Sequence, residues 1–103
     1  MKSYQAALSI KLALAKPKSW KKGRSKGIYW FGISKCLYTV VEETVVDMDV
    51  IERRKLYNSL QNNLPFPYLS ITEFNDAEKT SHNDVMAYLD RVRDDLLILP
   101  AEQ

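Results

Sequence analysis

The sequence predicts a small, mainly α-helical bundle of about four helices, with long loops at 16–28 and 63–80. Apolar residues recur at spacings of three and four in several segments, which is typical of helices with one buried face. Prolines and glycines separate these segments, and only three glycines occur. No hairpin signal lies between two strand-like runs, so a sheet-based fold is the weaker alternative. A chain of 103 residues fits one domain, 1–103.

The first two helices are predicted over 3–15 and 29–46. Pro17 disfavours helical backbone at the residue before it and ends the first helix. The second segment carries its apolar residues at helical spacing, although its aromatic and β-branched content would also suit a strand. The apolar positions of the two segments are Tyr4, Ala7, Leu8, Ile10, Leu12 and Leu14, then Trp30, Ile33, Leu37, Val40 and Val41.

The second half predicts two further helices and one short helical turn. Asp49 is suited to cap a helix over 50–62, and the Pro65 and Pro67 pair ends regular structure after it. One helical turn is predicted at 70–74. Ser81, followed three residues later by Asp84, marks the start of a last helix that Pro100 ends. The apolar positions of these helices are Val50, Ile51, Leu56, Tyr57 and Leu60, then Val85, Met86, Leu89, Val92 and Leu96.

Composition excludes several classes of protein. One cysteine and one histidine leave no material for an intramolecular disulfide or a structural zinc site. No apolar run approaches the roughly 20 residues that span a bilayer, so we expect no membrane partner. The first residues resemble a signal peptide, but Lys11 interrupts the apolar stretch. A cytoplasmic location is therefore predicted.

No catalytic constellation is complete. Gly27 and Gly32 have the spacing of a phosphate-binding loop, but Ile33 stands where that loop needs lysine. His82 has no cysteine or paired carboxylate at a motif spacing. Cys36 lies among apolar residues, where a free cysteine most often behaves as a small buried apolar group. The sequence predicts a protein that is not an enzyme, with no cofactor and no metal.

Several short motifs carry a family resemblance. They are Trp20-Lys21-Lys22-Gly23, Trp30-Phe31-Gly32-Ile33, Phe74-Asn75-Asp76 and Asp84-Val85. Their order resembles a family of small uncharacterised bacterial and phage proteins with a tryptophan-glycine entry, a small-residue central helix and an aromatic-Asn-Asp turn before a terminal helix. The resemblance implies a helical domain of these bounds and no assigned activity. Asn and Asp side chains bond to backbone groups in turns, so we interpret Asn75 and Asp76 as anchors of a loop.

Charge is distributed unevenly along the chain. Residues 1–41 hold nine cations and no acid, whereas residues 42–103 hold six cations and all 13 acids. One hypothesis is a nucleic-acid interface, in which cations contact phosphates and an indole stacks on an unpaired base. Its candidate residues are Lys18, Trp20, Lys21, Lys22, Arg24 and Lys26. The alternative is that Trp20 packs on the first helix and the lysines only keep the loop soluble.

The hypothesis that we favour is docking on a protein partner. Phe66 and Tyr68 lie in the proline-containing loop, where exposed aromatic side chains would serve as anchors of an interface. A phage-encoded modulator of a host factor is one form of such a protein. Nucleic acid is the second candidate partner, and the sequence leaves the oligomeric state open.

Overall fold

The computed structural model describes the backbone of residues 1–23, 27–29 and 32–102, and the side chains of residues 1–23 and 34–98. The described part is mainly helical, as predicted. The element order is α1 (Ser3–Ala13), a 3-10 turn (Pro17–Ser19), β1 (Gly27–Tyr29), β2 (Gly32–Ser34), α2 (Leu37–Val45), α3 (Val50–Asn62), α4 (Ile71–Asp76) and α5 (His82–Glu102).

One apolar core joins α1, α2, α3, α4 and α5, with Phe74 contributed by α4. Most of the apolar residues at helical spacing lie on inward faces, where apolar burial supplies the main driving force of folding, but Leu8 and Leu12 of α1 are exposed. The predicted stripe of α5 is confirmed in four of its five residues, since Val85, Leu89, Val92 and Leu96 are buried. The fifth residue, Met86, is half-buried against the core. The core also contains Ala6, Ala7, Ile10, Leu14, Leu37, Val40, Val41, Val45, Met48, Leu56, Leu60, Phe74 and Tyr88.

Helix starts carry the caps that the sequence predicts. The Asp49 carboxylate accepts a hydrogen bond from the Glu52 N–H at 2.8 Å, which caps α3. Ser81 and Asp84 bond reciprocally at the start of α5, with the Ser81 N–H donating to Oδ2 at 2.9 Å and the Asp84 N–H donating to Oγ at 3.1 Å. The three hydrogen bonds of these two caps satisfy backbone N–H groups that have no partner within the helix.

Two buried polar contacts link α3 to its neighbours at the ends of the helices. Glu52 Oε1 accepts from the N–H of Ser3, the first residue of α1, at 2.9 Å. The hydroxyl of Tyr88 in α5 donates to the carbonyl of Leu60, in the last turn of α3, at 2.5 Å. An unpaired backbone group that is buried costs free energy of folding. Glu52 and Tyr88 therefore stabilise the helix ends by bonding to a backbone N–H at the start of α1 and to a carbonyl near the end of α3.

The predicted second helix is wrong in its first half. Instead of continuing from 29, the chain forms an antiparallel pair of short strands, with Gly27 opposite Ser34 and Tyr29 opposite Gly32. Helix α2 begins only at Leu37. The aromatic and β-branched residues of this segment suit strands, and the sheet preference prevailed over the helical spacing. The predicted core residue Trp30 lies outside the described residues.

Other boundaries also differ from the predictions. Helix α1 ends at Ala13, and the loop at 63–80 contains the six-residue helix α4. Pro100 does not end α5, which continues to Glu102. Proline has a fixed φ of about −65°, which helical backbone shares, and only two residues of α5 follow Pro100. Val50 and Ile51 fit the helical spacing but are 64% and 66% exposed, because they begin α3 beyond the core.

Candidate docking surface

The loop after α3 presents Phe66 to solvent. Residues 65–68 form a turn in which the Tyr68 N–H donates to the Pro65 carbonyl at 3.0 Å, and the Phe66–Pro67 peptide bond is cis. The Phe66 side chain is 97% exposed, and Leu69 nearby is 76% exposed. Folded proteins usually bury large aromatic side chains or hold them at interfaces. Phe66 is the most exposed large apolar side chain among the described residues.

The base of this loop is held in place. Gln61 of α3 donates from Nε2 to the carbonyl of Leu69 at 2.8 Å. The Tyr68 ring packs on Phe74 with centroids 5.7 Å apart, and Phe74 meets Tyr88 edge-on at 5.1 Å. The residues that flank the Phe66 turn are thus bonded to α3 and packed on the core. Because they are already held in place, the loop would lose little conformational entropy on binding.

A groove lies beside the loop, between residues 65–68, the turn at 79–80 and one face of α5. Its volume is about 340 Å³, at the lower end of the range typical of ligand sites. Pro65, Tyr68 and Phe74 supply its apolar lining, together with Ala87, whose small side chain leaves the space open. The remaining lining residues are Lys79, Thr80, Asp84 and Arg91. The groove and the Phe66 turn form one surface, which we call the Phe66 surface.

Charges on the rim of the groove are mixed, with a cationic excess. Lys79 and Arg91 have no hydrogen-bond or ion-pair partner among the residues whose side chains are described. Asp84 uses its Oδ2 to accept from the Ser81 N–H. Asp95, one turn after Arg91, accepts instead from the Ser59 hydroxyl at 2.8 Å. The apolar lining of the groove is therefore flanked by two cationic side chains, those of Lys79 and Arg91, with no described carboxylate paired to them.

Trp20, the central residue of the predicted nucleic-acid site, is engaged inside the molecule. Its indole N–H donates to Asn75 Oδ1 at 2.6 Å, and its ring lies 6.1 Å from that of His82. The side chain is half-buried and packs against the core. The same Oδ1 accepts from the N–H of Leu37, the first residue of α2, at 3.1 Å. The interpretation of Asn75 as a loop anchor is confirmed.

Residues 16–26, which we call the basic segment, are described as far as residue 23, and this part is bonded to the end of α4. Lys22 Nζ donates to the carbonyls of Ala77 and Glu78, and the Gly23 N–H donates to Asp76 Oδ1 at 2.6 Å. Gly23 has φ of +91°, a region that favours glycine. The Lys21 carbonyl accepts from Asn75 Nδ2 at 3.1 Å.

Three predicted nucleic-acid residues remain, of which the structure describes only Lys18. Lys18 is exposed on the 3-10 turn. Arg24 and Lys26 lie outside the described residues.

The residues considered for catalysis have separate partners. His82 Nε2 bonds to the Leu14 carbonyl at 2.7 Å, and Cys36 Sγ to the Thr39 hydroxyl at 3.1 Å. Neither residue lines the groove, nor does Asp76. Among the described residues, no group of three His, Cys, Asp or Glu side chains is placed to hold a metal ion. Within the same residues, no helix has the length and apolar character that crossing a membrane requires.

Comparison of the chain with protein-family models, with curated proteins and with solved structures finds no match. The resemblance to small bacterial and phage proteins stays a prediction.

Sequence reasoning found part of the Phe66 surface. It singled out Phe66 and Tyr68, but Tyr68 is a half-buried wall of the groove rather than a protruding anchor. It missed Lys79, Ala87 and Arg91. The positions 84, 87 and 91 follow helical spacing and share one face of α5, so a signal existed. Only the folded chain shows that the loop after α3 lies across that face.

Proposed function

We propose that this protein is a non-enzymatic interaction module that docks on a protein partner through the Phe66 surface. The observation that carries the proposal is the 97% exposure of Phe66 on a turn whose base is bonded to α3 and packed on the core. Aromatic side chains at the centre of an interface commonly contribute about 2 kcal/mol or more to binding. An adjacent groove with an apolar lining adds area that a partner side chain would fill.

Internal contacts favour a protein over a nucleic acid as the partner. A stacking tryptophan must offer its ring face to a base, and a phosphate-binding lysine must offer its ammonium. Trp20 is half-buried beside His82, and its indole N–H donates a hydrogen bond to Asn75. The Lys22 ammonium donates hydrogen bonds to two backbone carbonyls. Binding nucleic acid through them would require breaking these contacts, whereas Phe66 is available as it stands.

The test is capture of a partner from the native host with the full chain immobilised. We expect a stoichiometric partner, and we expect Phe66→Ala to weaken its binding by about 30-fold, equivalent to roughly 2 kcal/mol. Leu12→Ala is the matched control, because Leu12 is a large apolar side chain, 65% exposed, on α1. Both variants should unfold at the temperature of the parent chain. Equal binding by parent and Phe66→Ala protein would refute the proposal.

Nucleic-acid binding is the alternative function, supported by the cations of the basic segment. It requires affinity for single-stranded or duplex nucleic acid that falls steeply with salt and is lost when Lys21, Lys22 and Arg24 become alanine. Absence of binding at low salt would exclude it. We propose a cytoplasmic location, because Lys11 interrupts the apolar stretch that a signal peptide would need. A phage-encoded modulator of a host factor is one form that such a docking protein would take.

A further inference from the structure

We infer that the groove of the Phe66 surface takes an acidic segment of the partner that also carries an apolar side chain. This inference rests on the proposed docking function and specifies its partner. The apolar side chain would contact Tyr68 and Phe74, and a carboxylate beside it would pair with Lys79 and Arg91.

The size and lining of the groove favour a peptide side chain. A volume of about 340 Å³ accommodates one large side chain with part of its backbone. Phe74 is a buried part of the lining, and Ala87 is an exposed part with a small side chain that fills little of the space. Two lining residues, Pro65 and Tyr68, belong to the turn that carries the exposed Phe66, so the groove and Phe66 are close enough for one segment to contact both. An extended chain fits this continuous surface better than an isolated small molecule does.

Charge complementarity favours an acidic segment. Residues 42–103 hold six cations against 13 acids, yet the groove rim has two cations and one acid. The acid, Asp84, already accepts a backbone hydrogen bond from Ser81. Lys79 and Arg91 have no ion-pair partner among the described side chains. A guanidinium can pair with a carboxylate through two parallel hydrogen bonds, and partial shielding by the groove would strengthen that pair.

The inference is tested by titrating the full chain with synthetic peptides and following its backbone amide resonances. One pool of seven-residue peptides has a central Phe flanked by Asp and Glu. A second pool has Lys and Arg in place of the acids, and a third has Ser in place of Phe. We expect the first pool to shift the amides of Tyr68, Thr80 and Ala87, and the other pools to bind at least tenfold more weakly.

Variants separate the rim charges from general electrostatics. The double change Lys79→Glu with Arg91→Glu should weaken binding of the acidic pool at least tenfold. The matched double change Lys18→Glu with Arg54→Glu alters the net charge equally at exposed positions away from the groove, and should leave affinity within about twofold. Ala87→Trp should block the groove without disturbing the core, since Ala87 is exposed.

The outcomes distinguish this inference from the function on which it rests. If the acidic pool leaves the groove amides unshifted at millimolar concentration, or binds no better than the basic pool, the inference is overturned. An equal loss of affinity in the two double variants would overturn it as well. The docking function would still stand if Phe66→Ala released the captured partner in those cases, and would fail separately if it did not.

Discussion

At the scale of single residues, Asn75 joins three parts of the chain. It is 1% exposed, and its carboxamide oxygen accepts from the Trp20 indole and the Leu37 backbone, while its amide donates to the Lys21 carbonyl. The Asn75 side chain therefore holds Trp20 and Lys21 of the basic segment against α4 and satisfies the first backbone N–H of α2. Removing a partner from buried polar groups costs more than the net value of the bonds, because the orphaned groups stay desolvated.

Replacing Asn75 with alanine should destabilise the protein by about 2–4 kcal/mol, since the Trp20 and Leu37 donors would lose their acceptor. Urea denaturation followed by far-ultraviolet circular dichroism measures this, and the tryptophan fluorescence should change as Trp20 loses its partner. Asn58→Ala is the control, because Asn58 is exposed on α3. It should shift stability by no more than about 0.5 kcal/mol. Equal stability of the two variants would show that the Asn75 contacts contribute little.

At the scale of elements, the sequence predicted the starts of two helices correctly where a local capping residue sets them. Asp49 predicted the start of α3, and Ser81 with Asp84 predicted that of α5, because a cap acts within one turn. The start of α2 could not be predicted in this way. Its first N–H is satisfied by Asn75, 38 residues away, and Lys35 pairs with the backbone beside Trp20. Such long-range contacts leave no local pattern.

In the candidate site, too, local features could be predicted from the sequence, whereas long-range contacts could not. The two prolines predicted the loop that carries Phe66, and the spacing of 84, 87 and 91 places three residues on one helix face. Their approach to the loop depends on Tyr68 packing on Phe74 and on Phe74 packing on Tyr88. The charge pattern along the chain directed attention to the basic segment instead, because sequence alone does not show which lysines are already bonded.

The junction of α1 and α3 should depend on pH through Glu52. The hydrogen bond from the Ser3 backbone N–H, supported by Lys55, holds the pKa of the Glu52 carboxyl below its usual range. A carboxyl whose pKa is lowered on folding contributes stability above its unfolded pKa, and this contribution is lost as the pH falls through the folded pKa. Glu52→Gln should therefore cost about 1–2 kcal/mol at neutral pH and progressively less below about pH 4.

Chemical denaturation of parent and Glu52→Gln protein across this pH range measures that difference. Lys55→Ala is the comparison, because the Lys55 ammonium lies 3.3 Å from Glu52 Oε2 but contributes less to the pKa than the Ser3 N–H does. Most of the pH dependence should therefore survive in Lys55→Ala protein. A stability difference between parent and Glu52→Gln protein that stays constant with pH would contradict the assignment.

At the scale of the whole molecule, part of the charge asymmetry is used internally. Lys11 of α1 pairs with Asp90 of α5 at 2.6 Å, and Lys35 pairs with Glu43 at 2.8 Å. Lys22 is bonded to carbonyls at the end of α4. The cationic first part thus lies against the acidic second part, and several of its charges serve the fold. The Phe66 turn, in contrast, is exposed beside a groove whose rim cations, Lys79 and Arg91, have no ion-pair partner among the described side chains.

Hydrogen–deuterium exchange of the full chain, free and bound to its captured partner, shows which surface the partner covers. If the protein docks through the Phe66 surface, exchange should slow on binding in two segments, 64–70 and 79–91, which contain the Phe66 turn and most of the groove lining. Exchange in 16–23, the described part of the basic segment, should stay unchanged. Protection confined to 16–23, with none in 64–70, would contradict the central claim that this protein meets its partner through Phe66.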